Sequence, residues 1–482
     1  MQGEDPAAKA AFTAAQLRQI FGGADDFCER KLTVCGAELY AFFLDGLTDG
    51  GDISEYILRP LVLNLRAGPM QSLYEQALGG TVYAGVAAAC KDLNDAAQKL
   101  VNGWCVLLFP SVGALAFEEK SSEKRGISPT EVENTVKSAK DAFTETLRTN
   151  TALVRRHLRS PDLRLTQTVV GRRSLTAVSL VYLEGLTDPE LVQALQTRLD
   201  GIDIDGLTTP TSVEEYLTGS RSTAFPLLQS TQRTDRFVTG ILGGRVGILV
   251  DGLPVGWMAP VDLGHLMAAA EDRSTDYVSA SFVRLLRYAA LIVSLFLPAL
   301  YVAMTEFHQE MIPTALLKAM IESKQNVPFS TVLEALGLLF AFEILQEAGM
   351  TLPQAISQTV SIIGGLVVGT AAVEANLISP AALIVVSVAG ICGFALPGKE
   401  LGDAMRLWRL GLAVAASFAG LFGLTLGALA MLVRLSMLES FGLPYLAPFS
   451  GLHAARALLR PRLVNQKYRD PALHPLDAKN QK

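Results

Sequence analysis

Basic residues are absent from a long part of this chain: no lysine or arginine occurs between Lys324 and Lys399, although the same stretch holds four glutamates. Residues 288–304 carry no charge of either sign. Uncharged helical stretches near 20 residues fit the roughly 30 Å hydrocarbon core of a bilayer. We therefore predict a membrane protein. Its acidic, base-free interior indicates a functional path, because intramembrane acids are costly.

Cysteine and histidine are scarce, with five of each in 482 residues. The cysteines are scattered, and neither a C-x-x-C pair nor a Cys–His cluster occurs. Because cytosolic cysteines rarely form disulfides, the spacing predicts free thiols and no metal site.

The sequence also lacks the motifs that mark common enzymes: G-x-x-x-x-G-K-[ST], G-x-S-x-G and H-E-x-x-H. A net charge of −6 disfavours nucleic acid as a partner, since nucleic acid requires a basic face. The opening residues MQGEDPAAKA do not show the charged-then-apolar order of a signal peptide. We expect no enzymatic activity, no cofactor and a cytosolic N-terminal region.

Two parts of the soluble region resemble each other. Residues 41–61 and 180–199 each combine a buried strand, a Gly-Leu-Thr-Asp turn and a helix that the aspartate of the turn can cap. Residues 102–117 and 243–258 each predict two short strands around a tight turn. Both pairs are offset by roughly 140 residues, which indicates a duplication. We predict two related α/β subdomains, each a small mixed sheet with covering helices.

The predicted fold class is an α+β cytosolic region of two related α/β subdomains, followed by an α-helical multi-span transmembrane domain. The predicted domains are 1–125 for subdomain 1, 126–283 for subdomain 2 with a leading helix over 130–159, 284–433 for the transmembrane domain and 434–482 for a basic tail.

Residues 308–325 predict an interfacial or re-entrant helix, and five spans are predicted, at 286–305, 329–348, 354–375, 380–397 and 410–433. Positive residues concentrate on the cytoplasmic side. Arg284 and Arg287 therefore place the start of the first span inside, whereas five crossings would leave the arginine-rich tail outside. One assignment must therefore fail: either the 308–325 helix or the 436–449 segment completes an even number of crossings, or one span is a half-helix.

The second span holds three glutamates. Glu343 and Glu347 share a helix face, while Glu334 lies nearly opposite. Glu334 and Glu347 can extend to opposite membrane interfaces, which leaves only Glu343 deep. Because Glu343 has no base nearby in sequence, it is protonated, hydrated or paired with a residue from elsewhere.

The third span carries a stripe of polar and small residues. This stripe either packs closely against another helix or lines a water-filled pore with an apolar constriction. The pore-lining candidates are Gln354, Ser357, Gln358, Ser361, Ile362 and Gly365. Glu374, near the end of this span, and Glu343 are the candidate acids along an ion path.

Several segments resemble one family: residues 143–163, 225–260, 270–304 and 310–397 are similar to the GerA spore germination proteins. This family comprises the A subunits of nutrient germinant receptors and the related SpoVAF proteins. One departure is Thr231-Gln232-Arg233-Thr234-Asp235, where the family usually has Thr-Glu-Arg-Pro-Asp.

The resemblance implies a two-part cytosolic region, a permease-like B subunit and a lipoprotein C subunit as partners, and homo-oligomerisation. It also implies cation release through a channel in the spore inner membrane. The leading hypothesis is thus a multi-pass subunit of a ligand-regulated cation channel, with an acidic interior that favours cations. The alternatives are a non-conducting scaffold that assembles receptor subunits, a SpoVAF-type accessory channel and, on weaker grounds, a secondary transporter.

Overall fold

The computed structural model describes residues 12–120, 137, 139–219, 223–351, 369–449 and 454–481. The chain forms two compact units. Unit 1 comprises Met1–Ser220, Leu228–Pro260 and Gln466–Lys482, and unit 2 comprises Arg221–Leu227 and Val261–Asn465. The domain boundaries given above stay predictions.

Unit 1 contains two five-stranded sheets with the same strand order. The first sheet has the order β1-β2-β4-β5-β3 and the second β6-β7-β9-β10-β8. The strands of the first sheet are β1 Phe27–Val34, β2 Ala37–Leu44, β3 Ala87–Ala89, β4 Trp104–Phe109 and β5 Gly113–Glu118. Those of the second are β6 Leu163–Val170, β7 Thr176–Leu183, β8 Gln229–Thr231, β9 Val246–Val250 and β10 Gly256–Ala259. The predicted duplication is confirmed.

The prediction of mixed sheets is wrong, because every neighbouring pair of strands is antiparallel. In the first sheet, β2 ends and β3 begins at the same end of the sheet, so the two strands run in opposite directions. Strand β3 lies at the edge of the sheet and runs to the opposite end. Helix α5 (Leu93–Val101) then returns the chain to the first end, where β4 begins. The chain therefore enters β4 antiparallel to β2.

Two helices of unit 1 begin at the aspartates that the sequence predicts as caps. Asp49 accepts hydrogen bonds from the amides of Gly51 and Asp52, and Asp188 accepts one from Glu190, so both predicted caps are confirmed. Besides α5, the α-helices described in unit 1 are α1 Ala14–Ile20, α2 Gly50–Asp52, α3 Arg59–Asn64, α4 Met70–Gln76, α6 Leu147–His157, α7 Pro189–Asp200, α8 Pro210–Thr218 and α9 Thr234–Leu242. Asp49 caps α2 and Asp188 caps α7. Two segments are π-helical: Ile53–Leu58 lies between α2 and α3, and Ala77–Thr81 follows α4.

The first sheet is buried on both faces at its central strand β4, which explains the apolar sequence of that strand. Alternate residues of β4 enter different cores: Leu107 and Phe109 join one cluster, and Val106 and Leu108 the other. Because successive side chains of a strand point to opposite faces, continuous apolar runs are typical of a sheet covered by helices on both sides.

The helix predicted over 130–159 is confirmed only for Leu147–His157, and residues 139–146 are not helical. Asn150 explains the late start. Its side chain accepts a hydrogen bond from the Thr144 amide at 2.7 Å and donates one to the Thr144 carbonyl at 2.6 Å. Because the buried Asn150 side chain binds the extended backbone at Thr144, that backbone does not join the helix.

His157 and Asp141 form a pH-sensitive pair at the end of α6, with 2.5 Å between Nε2 and Oδ2. This hydrogen bond raises the pKa of His157 above 6.5 and lowers the pKa of Asp141 below 3.8. The contribution of His157 to stability is complete below pH 6.5 and is lost as the pH rises through the raised pKa of the imidazole. The contribution of Asp141 is present above pH 3.8 and is lost as the pH falls through the lowered pKa of the carboxyl group.

We therefore expect Asp141→Asn to lower the free energy of unfolding most between pH 3.8 and pH 6.5, by about 1 kcal/mol. The thermal midpoint of the full-length protein, measured over a pH series that brackets both values, checks this. Glu215→Gln, which removes an exposed carboxylate of the same unit, is the control. An equal deficit at alkaline pH would contradict the ion pair as the cause.

Residues 466–481 pack on unit 1. The Arg469 guanidinium donates to the Leu242 carbonyl at 3.1 Å, and the Leu476 amide donates to the Leu186 carbonyl at 2.9 Å. The polypeptide therefore leaves unit 1 after Pro260 and returns to it at Gln466.

In the described residues of unit 2, the regular secondary structure is helical apart from the short strands β11 Glu439–Ser440 and β12 Leu443–Pro444. Its helices are α10 Leu263–Leu266, α11 Tyr277–Glu306, α12 Thr314–Lys324, α13 Thr331–Thr351, α14 Gly369–Glu374, α15 Pro380–Phe394, α16 Lys399–Ser436 and α17 Ala454–Leu458. Short 3₁₀ helices occur in unit 2 at Ala270–Arg273, Gln309–Met311, Ala447–Phe449 and Leu463–Asn465, and in unit 1 at Pro471–Leu473.

Helices occur at four of the five predicted spans: α11, α13, α15 and α16 cover the first, second, fourth and fifth. Helix α12 lies in the predicted interfacial segment. Most of the third span lies outside the described residues. Within the described part of the chain, two helices, α11 and α16, are long and apolar enough to cross a membrane.

Helix α16 is not straight, and the prediction of a single span over 410–433 is wrong. Ala419 and Gly420 leave the helical conformation, and Gly420 has a φ of 59°, which favours glycine. A Cβ on Gly427 would lie 2.8 Å from Leu412 Cδ2, although these residues would be roughly 22 Å apart along a straight helix at ~1.5 Å per residue. Residues 399–436 therefore form a helical hairpin.

The tip of this hairpin meets the end of α11, because a Cβ on Gly420 would lie 2.8 Å from the Cβ of Phe307. At the opposite end, Met405 from the first arm and Met431 from the second join one buried cluster with Tyr445. The tip of the hairpin therefore packs on the end of α11, and both arms contribute to the same buried cluster.

Candidate functional site

The six pore-lining candidates, Gln354, Ser357, Gln358, Ser361, Ile362 and Gly365, lie outside the described residues, and their role stays a prediction. The two candidate acids are described. Glu374 is exposed at the end of α14. Glu343 lies on α13, where it faces the first arm of the hairpin.

Glu343 is bound by two arginines of α16. Arg406 Nη1 donates to Glu343 Oε2 at 3.1 Å, and Arg409 Nη2 donates to Glu343 Oε1. The Arg409 side chain is only 3% exposed. Of the three states proposed for Glu343, pairing with a residue from elsewhere is the one present.

The spacing on α16 explains how one carboxylate meets two guanidinium groups. Residues three apart are neighbours on a helix surface, so Asp403, Arg406 and Arg409 follow one stripe. Asp403 also accepts a hydrogen bond from Arg406 Nη2. These two carboxylates and two guanidinium groups have no net formal charge. The expectation of an acidic, base-free interior is therefore wrong at Glu343, because α16 supplies the bases from outside the base-free stretch.

Close packing surrounds this cluster. A Cβ on Gly393 of α15 would lie 3.2 Å from the hydroxyl of Ser294 and 3.9 Å from Arg409 Nη1. Ser294 itself is buried on α11. Gly393 therefore lets α15 approach both α11 and the buried arginine, and the cluster couples α13 to α16 in a part of unit 2 where four helices meet.

A second buried carboxylate lies nearer the start of α13. Glu334 is 2% exposed, and its Oε2 accepts a hydrogen bond from the hydroxyl of Ser379 at 2.8 Å. The interpretation that Glu334 extends to a membrane interface is therefore wrong. Ser379 caps α15, and its position before Pro380 is a helix-start signal that gave no indication of the carboxylate it binds.

Arginines at the start of α11 are paired with one acid. Asp272 is buried and accepts hydrogen bonds from Arg284 Nη2 at 3.2 Å and from Arg287 Nη1 at 2.8 Å. These are the arginines from which the cytoplasmic end of the first span was predicted, and both are held by Asp272.

Comparison with known proteins gives the family. The family model described as Bacillus/Clostridium GerA spore germination protein matches residues 15–472. The membrane protein YfkQ of Bacillus subtilis (strain 168) is 35% identical over 418 residues, 86% of this chain and 80% of that protein. Spore germination protein KA of the same organism is 34% identical over 453 residues, 92% and 83% of the two chains.

Spore germination protein GerLA of Bacillus cereus is 28% identical over 482 residues, 96% of this chain and 97% of that protein. Among solved structures, the N-terminal domain of the A subunit of the Bacillus megaterium spore germinant receptor GerK3 matches with a TM-score of 0.41 and 25% identity, covering 54% of this chain and 98% of that one. The family model and the relatives above 30% identity cover nearly all of the sequence, including both units. The chain belongs to the GerA family of spore germination proteins.

Proposed function

We propose that this protein is a multi-pass membrane subunit of a spore nutrient germinant receptor, and that several copies form a ligand-regulated cation channel that releases ions during germination. Family membership supports the receptor. The observation that supports the channel is Glu334, a carboxylate that is 2% exposed inside an apolar helical unit. Intramembrane acids of this kind mark ion pathways by default.

The proposed topology has six crossings, with both unit 1 and the tail in the cytosol. Support comes from the tail, because a polypeptide that leaves unit 1 and returns to it crosses a membrane an even number of times. The hairpin supplies the crossing that the five-span prediction lacked. The crossings are α11, α13, the segment that ends in α14, α15 and the two arms of α16.

The pore in this proposal is lined by copies of the third span, with Ser357, Ser361 and Gly365 facing water and Ile362 as the apolar constriction. Glu343 and Glu374 lie along the ion path. Large apolar side chains exposed on the described helices, such as Phe418 at 81% and Phe422 at 72%, face lipid or neighbouring subunits. The proposed partners are a permease-like B subunit and a lipoprotein C subunit in the spore inner membrane.

Ile362→Lys tests the channel directly. Placing a charge in a dewetting constriction hydrates it, so we expect ion release without nutrient, at a rate at least tenfold above the wild type. Release of monovalent cations from spores, and from liposomes holding the purified receptor subunits, is the measurement. Ile384→Lys, at a position of α15 that is 62% exposed, is the matched control.

Unchanged release for Ile362→Lys and for Ser361→Trp would remove the third span from the pore. Liposomes that pass no current with any nutrient, while the subunits still assemble, would instead favour the non-conducting scaffold.

A further inference from the structure

Glu334 has one carboxylate oxygen that no described residue satisfies. Its Oε2 accepts the hydrogen bond from Ser379, whereas Oε1 is buried and has no hydrogen-bond partner among the described residues. Buried polar atoms in proteins nearly always have a partner, and a buried charge needs one of opposite sign or a bound ion. This oxygen therefore points to a ligand.

Ser379, which binds Glu334, also links it to α11. The Tyr301 side chain of α11 forms a hydrogen bond with Ser379 and interacts electrostatically with Glu334 and Glu306. Glu306, exposed at the end of α11, accepts a hydrogen bond from the Thr331 amide at 3.0 Å. The lysine that approaches from α12, Lys324, directs its ammonium group to the hydroxyl of Thr331 rather than to Glu334.

We propose that these groups bind a monovalent alkali cation. Glu334 Oε1 is the anionic ligand, the Tyr301 hydroxyl is a neutral one, and Glu306 attracts the cation from the exposed end of α11. Carboxylate and hydroxyl oxygens are hard ligands that suit such ions. The site lies where α11, α13 and the start of α15 come together, at the same end of unit 2 as the tip of the hairpin.

A divalent ion fits this site less well. Calcium takes six to eight oxygens, several of them carboxylates. Within the described parts of the chain, no group of three or more histidine, cysteine, aspartate or glutamate side chains is placed to hold a metal ion. One buried carboxylate instead matches one positive charge.

This inference deepens the proposed function and rests on it, because conduction is what would bring a cation to this depth. Its test measures binding in detergent and needs no current. A protein that binds the cation but passes none would refute the channel alone, and a conducting protein without cation-dependent stability would refute this site alone.

The experiment compares the thermal midpoint of the purified full-length protein in potassium, sodium and choline chloride at equal ionic strength. A ligand that binds only the folded state stabilises it saturably, so we expect potassium or sodium to raise the midpoint by about 2–4 °C over choline. Glu334→Gln should abolish that rise. The matched control Glu310→Gln, which changes an exposed glutamate at the same end of α11, should keep it.

Equal midpoints in the three salts, or a rise that Glu334→Gln retains, would overturn the proposal. So would a Glu334→Gln protein that is more stable than the wild type in every salt, since the carboxyl group then holds no cation. Should Glu334→Gln fail to fold, Tyr301→Phe, which keeps the carboxylate and removes the proposed neutral ligand, must raise the half-saturating cation concentration several-fold. An unchanged concentration would overturn the proposal as well.

Discussion

Replacing Glu343 with leucine is expected to destabilise the helical unit by about 3 to 5 kcal/mol, the cost of leaving a buried charge without its partner. The stranded group is Arg409, whose side chain is 3% exposed and which donates to Glu343 Oε1. Arg406 suffers less because it keeps Asp403. The thermal midpoint of the purified protein in detergent, and its free energy of unfolding in denaturant, measure the loss.

The double variant Glu343→Leu/Arg409→Leu separates pairing from packing. Replacing both members of a buried ion pair with apolar residues is often neutral or stabilising, so we expect it to recover at least half of the loss. Glu322→Leu, which removes a glutamate on α12 that is 61% exposed, should change stability by no more than about 0.5 kcal/mol. A single variant that loses under about 1 kcal/mol, or a double variant worse than the single, would refute the ion pair as a structural link.

Local signals in the sequence were sufficient for much of unit 1. Asp49 and Asp188 cap helices because an aspartate before a helix satisfies its first amides wherever the rest of the chain lies. The tight turns between β4 and β5 and between β9 and β10 depend on neighbouring residues only. Sheet order is not local, yet the repeated segments predicted that the two sheets share it.

Contacts between distant residues explain what the sequence did not predict. Glu343 and Arg409 are 66 positions apart, and the absence of bases near Glu343 in sequence says nothing about α16. Glu334 was assigned to an interface because a glutamate side chain is long enough to reach one. Its actual partner, Ser379, is 45 positions away.

The hairpin was missed for a different reason. The apolar pattern continues through the turn, since only Ala419 and Gly420 leave the helical conformation, and two residues barely interrupt a hydrophobic run. Gly423 and Gly427 serve packing between the two arms. The conflict between an odd number of crossings and an arginine-rich tail indicated that one assignment was wrong, but it did not point to residues 419–420.

Gly423→Ala is expected to separate those arms. A Cβ on Gly423 would lie 2.1 Å from the carbonyl oxygen of Ala415 and 2.9 Å from its carbonyl carbon. These are backbone atoms, which cannot move aside as the end of a flexible side chain can, so the second arm must shift as a whole. Overpacking of this kind costs about 1–3 kcal/mol and occasionally more, and here we expect the upper part of that range.

Gly411→Ala is the matched control, because it makes the same change in the same helix at a position where a Cβ would have no neighbour within 4 Å. Alanine favours helix over glycine by up to about 1 kcal/mol, so this control should be neutral or stabilising. Thermal midpoints of both variants in detergent give the comparison. Equal effects would mean that the arms do not touch, and residues 399–436 would then be one continuous helix.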